Sequence, residues 1–154
     1  MVKETPKMQI QQATLKDLED LALLFDAYRV FYNKNSDLKG ATNFLKSRIE
    51  NQESTIFIAR NEAAKALGFV QLYPLFSSTR MKKLWLLNDL FVAEQFRGLG
   101  VSVALINKAK ALVKSTNACG LTLETGKDNI IGNNLYPKTG FKLNKDYSFY
   151  FWDV

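Results

Sequence analysis

The sequence predicts an α/β chain of the α+β kind, one mixed sheet with helices packed on its faces. Two observations predict it. Strand-like apolar runs and helix-period stripes succeed one another in the order β-α-α-β-β-β-α-β-α-β-β, with no internal repeat, low-complexity tract or linker. Its 154 residues are enough for one domain with a real core and too few for two comfortable ones, so a single domain spanning 1–154 is expected.

Each element follows from its own pattern. Ile10 to Ala13 alternate weakly and read as an edge strand. Thr14 is an N-cap with an acid, Asp17, three residues on. Leu18, Leu21, Ala22, Phe25, Tyr28 and Tyr32 form the stripe of an amphipathic first helix, which places Tyr28, Phe31 and Tyr32 in the core. Residues 33–37 and Gly40 break that helix, and Ala41, Phe44, Leu45 and Ile49 mark a shorter second one. Residues 55–59 and 67–73 read as a hairpin around a turn at 61–64, its return strand ended by Pro74. Residues 77–79 are loop. Residues 84–92 are apolar without clean alternation, which predicts a central strand covered on both faces. Val101, Ala104, Leu105, Ala109, Leu112 and Val113 stripe a third helix running to about Lys114. Residues 121–125 form another strand, and Cys119 just before it reads as packing rather than as a nucleophile. A fourth helix fits residues 129–138, weakened by Gly132 and Pro137 and stopped by Gly140. Residues 141–143 and 147–152 form a final hairpin, its aromatic strand filling the core or completing a dimer sheet.

Composition removes whole classes of chemistry. There is no histidine, which excludes Ser-His-Asp and Cys-His catalysis and most zinc sites, and no metal is expected. A single cysteine excludes an internal disulfide and fits a cytoplasmic location. No apolar run approaches the ~18 residues that span a bilayer, and residues 1–7 lack an apolar signal core, so neither membrane nor leader is expected. The net charge of +6 suits an anionic ligand, but the lysines are scattered and nucleic acid is not the expected partner.

The most informative stretch is Arg97-Gly98-Leu99-Gly100-Val101-Ser102, between the apolar strand and the third helix. The first N–H groups of a helix have no internal partner and carry the positive end of its dipole, and glycine lets that backbone approach an anion closely. The turn is no P-loop, for it lacks the Gly-Lys-Ser/Thr ending. It is no dinucleotide fingerprint either: position 103 is valine, and Ala93 to Arg97 intervene between the strand and Gly98. Arg97-x-x-Gly100, inside Arg-Gly-x-Gly-Val-x-x-Ala-Leu, instead resembles the acetyl-CoA motif of the GNAT superfamily of N-acetyltransferases. Leu87-Asn-Asp-Leu-Phe-Val92 is similar to that superfamily's preceding strand, and Asn129-x-x-Gly132-x-x-Leu135-Tyr136-x-x-x-Gly140-Phe141 to its late helix segment. Ile10 to Asp17 resemble its opening strand and helix. The resemblance spans nearly the whole chain, departing at Ser102 (usually Gly or Ala), Gly132 (usually Ala) and Pro137.

The resemblance implies the GNAT fold, with a mixed, mostly antiparallel sheet flanked by helices on both faces. It implies acetyl-CoA as co-substrate, bound through Gly98, Leu99, Gly100, Val101 and Ser102 at the diphosphate, with Arg97 adding charge or fixing the turn. The pantetheine arm would run beside Leu90, Phe91 and Val92, where a β-bulge splays this strand from the one at 121–125. Asn129, Asn133 and Tyr136 join the cofactor set. Tyr136 is the expected proton donor to the leaving thiolate, and Asp89 or Glu124 would take the amine proton through a water or bind the substrate's charge. Asn88, where some polyamine-acetylating relatives carry glutamate, argues against a polyamine. The acceptor is then a primary amine of a small molecule, peptide or protein, and a homodimer is expected from the superfamily's habit. A non-catalytic CoA-binding module of the same fold is the alternative.

Overall fold

Strands pair in the order in which the chain makes them. The computed structural model describes residues 7–154, so the N-terminal stretch read for a leader lies outside the described residues except for Lys7. These residues group into two units, one extending to Leu123 and one comprising Glu124–Val154. In the first, β1 (Met8–Gln12), β2 (Thr55–Asn61), β3 (Ala66–Ser77) and β4 (Lys82–Val92) pair antiparallel, each with the next. The hairpin between β2 and β3 is held by Asn61, whose side-chain oxygen accepts from Ala63 N at 3.1 Å and Lys65 N at 2.9 Å. From β4 the chain crosses through helix α3 (Val101–Ser115) and returns as β5 (Leu121–Thr122), parallel to β4, as a helical crossover requires. The sheet is therefore mixed, in the order β1-β2-β3-β4-β5.

Helices α1 (Leu18–Phe31) and α2 (Leu38–Glu50) cover one face. A 3₁₀ turn, Leu15–Asp17, leads into α1, and Thr14 and Asp17 form the expected capping box: Thr14 N donates to Asp17 Oδ2 at 2.9 Å. From β2, Arg60 clamps that helix start, donating to Asp17 at 3.0 Å and Asp20 at 2.6 Å. Burial works against the charge of Asp17, but the Thr14 N–H and Arg60 outweigh it and hold the carboxyl below its usual range. Asp37 caps α2 by accepting from Gly40 N at 2.9 Å. Gly40, expected as a breaker, thus sits in the first turn of α2, where a Cβ would strike the Asp37 carboxylate. Leu21, Ala22, Leu24, Phe25, Ala41 and Leu45 bury themselves on Ile56, Ile58, Phe69 and Phe91 of the sheet. Helix α3 covers the other face through Val101, Leu105, Ile106 and Ala109. There Trp85 Nε1 donates to Thr116 Oγ1 at 2.9 Å and Lys108 lies 5.6 Å over the Phe57 ring.

One irregularity in β4 explains its sequence. Leu72 pairs with Leu87, yet Gln71 pairs with Asp89, so Asn88 is an extra residue, a β-bulge. Cross-strand partners share a face. Trp85 and Leu87 therefore face α3, whereas Asp89 and Phe91 face α1 and α2 with Gln71 and Phe69. The lack of clean alternation in the sequence is this switch of faces. The pairs between β4 and β5, Trp85 with Leu121 and Leu86 with Thr122, stop just before the bulge.

Several expectations are corrected. Pro74 does not end β3, which runs on to Ser77. Beyond Leu72, β3 pairs with β4 alone, and a proline is tolerated on such an open edge. Phe31 and Tyr32, expected in the core, are about half exposed, because the buried stripe of α1 ends at Phe25. Cys119 is half-buried. β5 is two residues long rather than five. In the second unit α4 (Ile130–Lys138) carries Pro137 in its last turn and ends one residue later, with Gly140 at φ 90° beyond it. The final hairpin is absent: residues 141–154 form neither strand nor helix. No helix among the described residues is long and apolar enough to cross a membrane.

Gly68, opposite Val92, is a glycine for lack of space. A Cβ there would collide with the Phe91 carbonyl oxygen and lie 3.1 Å from Val92 Cα. Gly68→Ala is expected to lower stability by about 1–3 kcal/mol, the range for forcing extra volume into a packed interior. Urea denaturation checks this, and an unchanged midpoint would mean that β4 yields freely at its end.

Candidate functional site

The end of β4, the turn after it and the start of α3 form one continuous site in the first unit. Behind Val92 the chain makes a short 3₁₀ turn, Glu94–Phe96, whose successor Arg97 is extended at φ −70° and ψ 152°. Gly98 and Gly100 then adopt φ of 75° and 78°, left-handed conformations in which any side chain would be strained. Space is not the reason at Gly98, for nothing lies within 4 Å of where a Cβ would stand. The left-handed Gly100 turns the chain into α3, and no side chain caps that helix start. Its first N–H groups and the dipole's positive end are left for an anion. Val101 is buried beneath the turn, while Leu99 and Ser102 are half-buried.

Arg97 fixes this turn to the strand. Its Nε donates to the Val92 carbonyl at 3.1 Å, and its guanidinium lies 5.3 Å over Phe31 and 5.7 Å over Phe91. The three contacts tie the last turn of α1, the end of β4 and the loop together. The half-exposed position of Phe31 is thereby explained: it is a platform for Arg97 rather than core filling.

Asp89 lies in the same strand, on the α1 and α2 face, and is buried. Its Oδ2 accepts from Gln71 Nε2 at 2.7 Å and its Oδ1 from Asn88 Nδ2 at 3.1 Å. The Tyr28 hydroxyl also bonds to it. Gln71 is in turn held by Ser54, whose Oγ donates to Gln71 Oε1 at 2.9 Å. Burial pushes the Asp89 carboxyl above its usual range, against the pull of Gln71, Tyr28 and Asn88. Burial, helped by the nearby Asp89 charge, also pushes the Tyr73 phenol up to about 12. Gln71, Ser54 and Tyr28 were not singled out by sequence reasoning for any role at Asp89. The available signal was the lone polar residue in the apolar run 67–73, and register alone shows that it faces Asp89.

The remaining expected residues belong to the second unit. Glu124 is exposed and lies past the end of β5 rather than within the strand. Asn129 caps α4, accepting from Gly132 N at 3.1 Å, while its Nδ2 donates to Thr125 Oγ1 at 2.9 Å. Asn133 Nδ2 donates to the carbonyls of Gly126 and Asn129, each at 2.8 Å. Both amides thus shape the loop that enters α4. Tyr136 stacks edge-on against Phe141 at 5.7 Å between centroids. At Gly132 an added Cβ would meet Asn129 Nδ2 first, at 2.7 Å, and then Tyr136 Cε2 at 3.2 Å.

A model of the acetyltransferase (GNAT) family matches residues 21–141. The chain is 42% identical over 147 residues to an uncharacterized N-acetyltransferase of Bacillus subtilis, YhfO, covering 96% of this chain and 98% of that one. It is 36% identical to a probable acetyltransferase of Haemophilus influenzae, over 89% of this chain and 92% of that one. Among solved structures, a probable acetyltransferase superposes with a TM-score of 0.91 at 37% identity, covering 95% of this chain and 97% of that one. An aminoglycoside N-acetyltransferase crystallised in complex with CoA shares the fold, with a TM-score of 0.81 at 19% identity over all of both chains.

The Gln71 amide stabilises the ionised form of Asp89, so its loss should raise that carboxyl's pKa further. Gln71→Met is also expected to cost about 1–3 kcal/mol where Asp89 is ionised, because a buried acceptor loses its donor. Carboxyl carbon NMR titration with urea denaturation measures both, and an unmoved Asp89 titration would refute the coupling.

Proposed function

The chain belongs to the GNAT family of acetyltransferases, and from that premise we propose that it transfers an acetyl group from acetyl-CoA to a primary amine. The acceptor is an amine of a small molecule, peptide or protein, and attack is direct within a ternary complex. In this reading the working unit is one domain spanning 1–154, a cytoplasmic enzyme acting as a homodimer. The observation that carries the donor assignment is the uncapped start of α3, opened by two left-handed glycines and tied to β4 by Arg97. Main-chain N–H groups of Gly98, Leu99, Gly100, Val101 and Ser102 suit a diphosphate, an anion that helix starts bind well. The CoA complex of the aminoglycoside enzyme with this fold is consistent with the same donor here.

The pairs between β4 and β5 end at Leu86, leaving Leu90, Phe91 and Val92 beyond the reach of that ladder. The amides of the pantetheine arm pair with this stretch in the manner of an added strand. A main-chain N–H at Phe91 or Val92 then meets the thioester oxygen as negative charge develops there. One such donor is typically worth about 10²–10³ in rate.

The amine loses a proton, attacks the thioester carbon, and expels CoA as a thiolate that must gain one. Tyr136 supplies that proton from its phenol. Asp89 is the favoured base, since burial raises its carboxyl toward the range where a base works well near neutrality. Glu124, exposed, is the second carboxylate and serves the acceptor's charge. Asn129 and Asn133 hold the loop from which α4 presents Tyr136.

Acetyl-CoA at a hundred times its dissociation constant should stabilise both wild type and Tyr136→Phe by about 2.7 kcal/mol. The variant should release thiol at least ~10²-fold more slowly. No stabilisation of the wild type would end the donor assignment, and equal turnover would remove Tyr136 from the acid role. A base must be ionised to act, so activity should fall as pH drops through the raised pKa of Asp89. Asp89→Asn should lower turnover and abolish that acidic limb of the pH–rate profile. If the limb persists in Asp89→Asn and vanishes in Glu124→Gln, the base is Glu124.

A further inference from the structure

We propose that the acceptor is a monoamine carried on a flat apolar group, which rests on Phe31 and Tyr32 with its nitrogen turned toward Asp89. This acceptor class rests on the acetyl-transfer reading above and narrows it. Rings run without a break from the buried acid to the surface. The Tyr28 hydroxyl bonds to Asp89. Between centroids, Tyr28 stands 5.0 Å from Tyr32, Tyr32 5.2 Å from Phe31, and Phe31 6.5 Å from Phe91. Exposure rises along this row. Asp89 is 4% exposed and Phe91 8%, Tyr28 is half-buried, and Phe31 and Tyr32 reach 48% and 46%.

The inner end of the row lies where the chemistry is proposed. Phe91 carries one of the two main-chain N–H groups offered to the thioester oxygen, and Asp89 is the favoured base. The outer end offers ring surface to solvent. A mostly apolar wall with one polar group to fix orientation is the usual composition of a small-molecule site. Rings take a flat apolar group well, by stacking or edge-on contact.

Charge sets the number of nitrogens. A polycation needs several carboxylates able to receive it, and those of α1, α2 and their connection already hold partners. In the loop between the helices, Asp26 accepts from Ser36 Oγ at 2.6 Å and from Asp37 N at 2.8 Å, while Asp37 caps α2 through Gly40 N. At the far end of α1, Asp17 and Asp20 hold Arg60, and beyond α2 Glu53 pairs with Arg48. Asp89 itself accepts from Gln71, Asn88 and Tyr28. A carboxylate has about four acceptor positions, so it has room for one more donor. The charge seated on the rings is moreover a cation, Arg97, 5.3 Å over Phe31, which repels any second positive centre placed there. One nitrogen on an apolar body therefore fits, and a polyamine or an aminoglycoside does not.

Thiol release from acetyl-CoA with 2-phenylethylamine, spermidine and kanamycin tests this class. For 2-phenylethylamine kcat/KM should exceed that for either polycation at least ~10-fold. Tyr32→Ala should raise the KM for 2-phenylethylamine about tenfold and leave that for acetyl-CoA unmoved, and Tyr32→Phe, which restores the ring, should recover most of the loss. Saturation-transfer NMR with the CoA-loaded protein should show the ring protons of 2-phenylethylamine taking up most of the saturation, and little of it in Tyr32→Ala. If that variant fails to fold, the wild-type ranking and the wild-type NMR still decide. A preference for spermidine or kanamycin, or an unmoved KM in folded Tyr32→Ala, would overturn the acceptor class and leave acetyl transfer standing. Saturation of the ring protons without thiol release from any of the three amines would uphold the seat and end the transfer reading. Neither saturation nor release would end both.

Discussion

One extra residue in β4 governs the rest of this structure. Asn88 has no partner on β3, and its insertion reverses which face the following side chains occupy. Without it, Asp89 and Phe91 would lie on the α3 side with Trp85 and Leu87. With it, Asp89 turns toward Gln71 and Tyr28, and Phe91 becomes part of the ring platform beneath Arg97. A bulge also sharpens local twist, and the ladder to β5 stops just before this one. A buried acid, an anchored glycine turn and a stretch of strand free of β5 therefore share one cause.

The Arg97 turn shows how little side-chain chemistry such a site requires. In the proposed reading its binding groups are main-chain N–H groups, present in every protein. What distinguishes this one is backbone shape, set by two left-handed glycines, and anchorage through Arg97 to Val92, Phe31 and Phe91. Helix-end effects on an anion amount to roughly 0.3–2 kcal/mol each. In the proposed reading, the turn positions a diphosphate more than it supplies all the affinity. In that reading the rest comes from contacts along the strand.

The polar row Ser54–Gln71–Asp89–Tyr28, buried at Gln71 and Asp89 and half-buried at its ends, is a second constraint. Each bond in it satisfies a group that would be costly to bury alone. It holds the carboxylate at a fixed height on the sheet, and burial keeps that group easier to protonate than a surface aspartate. Asn129 and Asn133 play the corresponding part in the second unit, where local amide bonds set the loop before α4.

Whatever depends on near neighbours in the chain was legible in the sequence alone: the Thr14–Asp17 capping box, the stripes of α1 and α3, the hairpin turn at Asn61, the glycine turn before α3 and the family resemblance it carries. Hydrophobic period, capping and turn chemistry act over a few residues, and their signals survive without a fold. Tertiary structure alone decided the bulge at Asn88, the passage of β3 through Pro74, the half-exposed Phe31 and the unpaired aromatic end. Each is a question of which distant strand or helix lies alongside. Pro74 is tolerated because β2 has already stopped pairing there, and Gln71 meets Asp89 only through register. Pairing between distant segments is settled by space and by hydrogen-bond partners, and neither is written at the positions themselves.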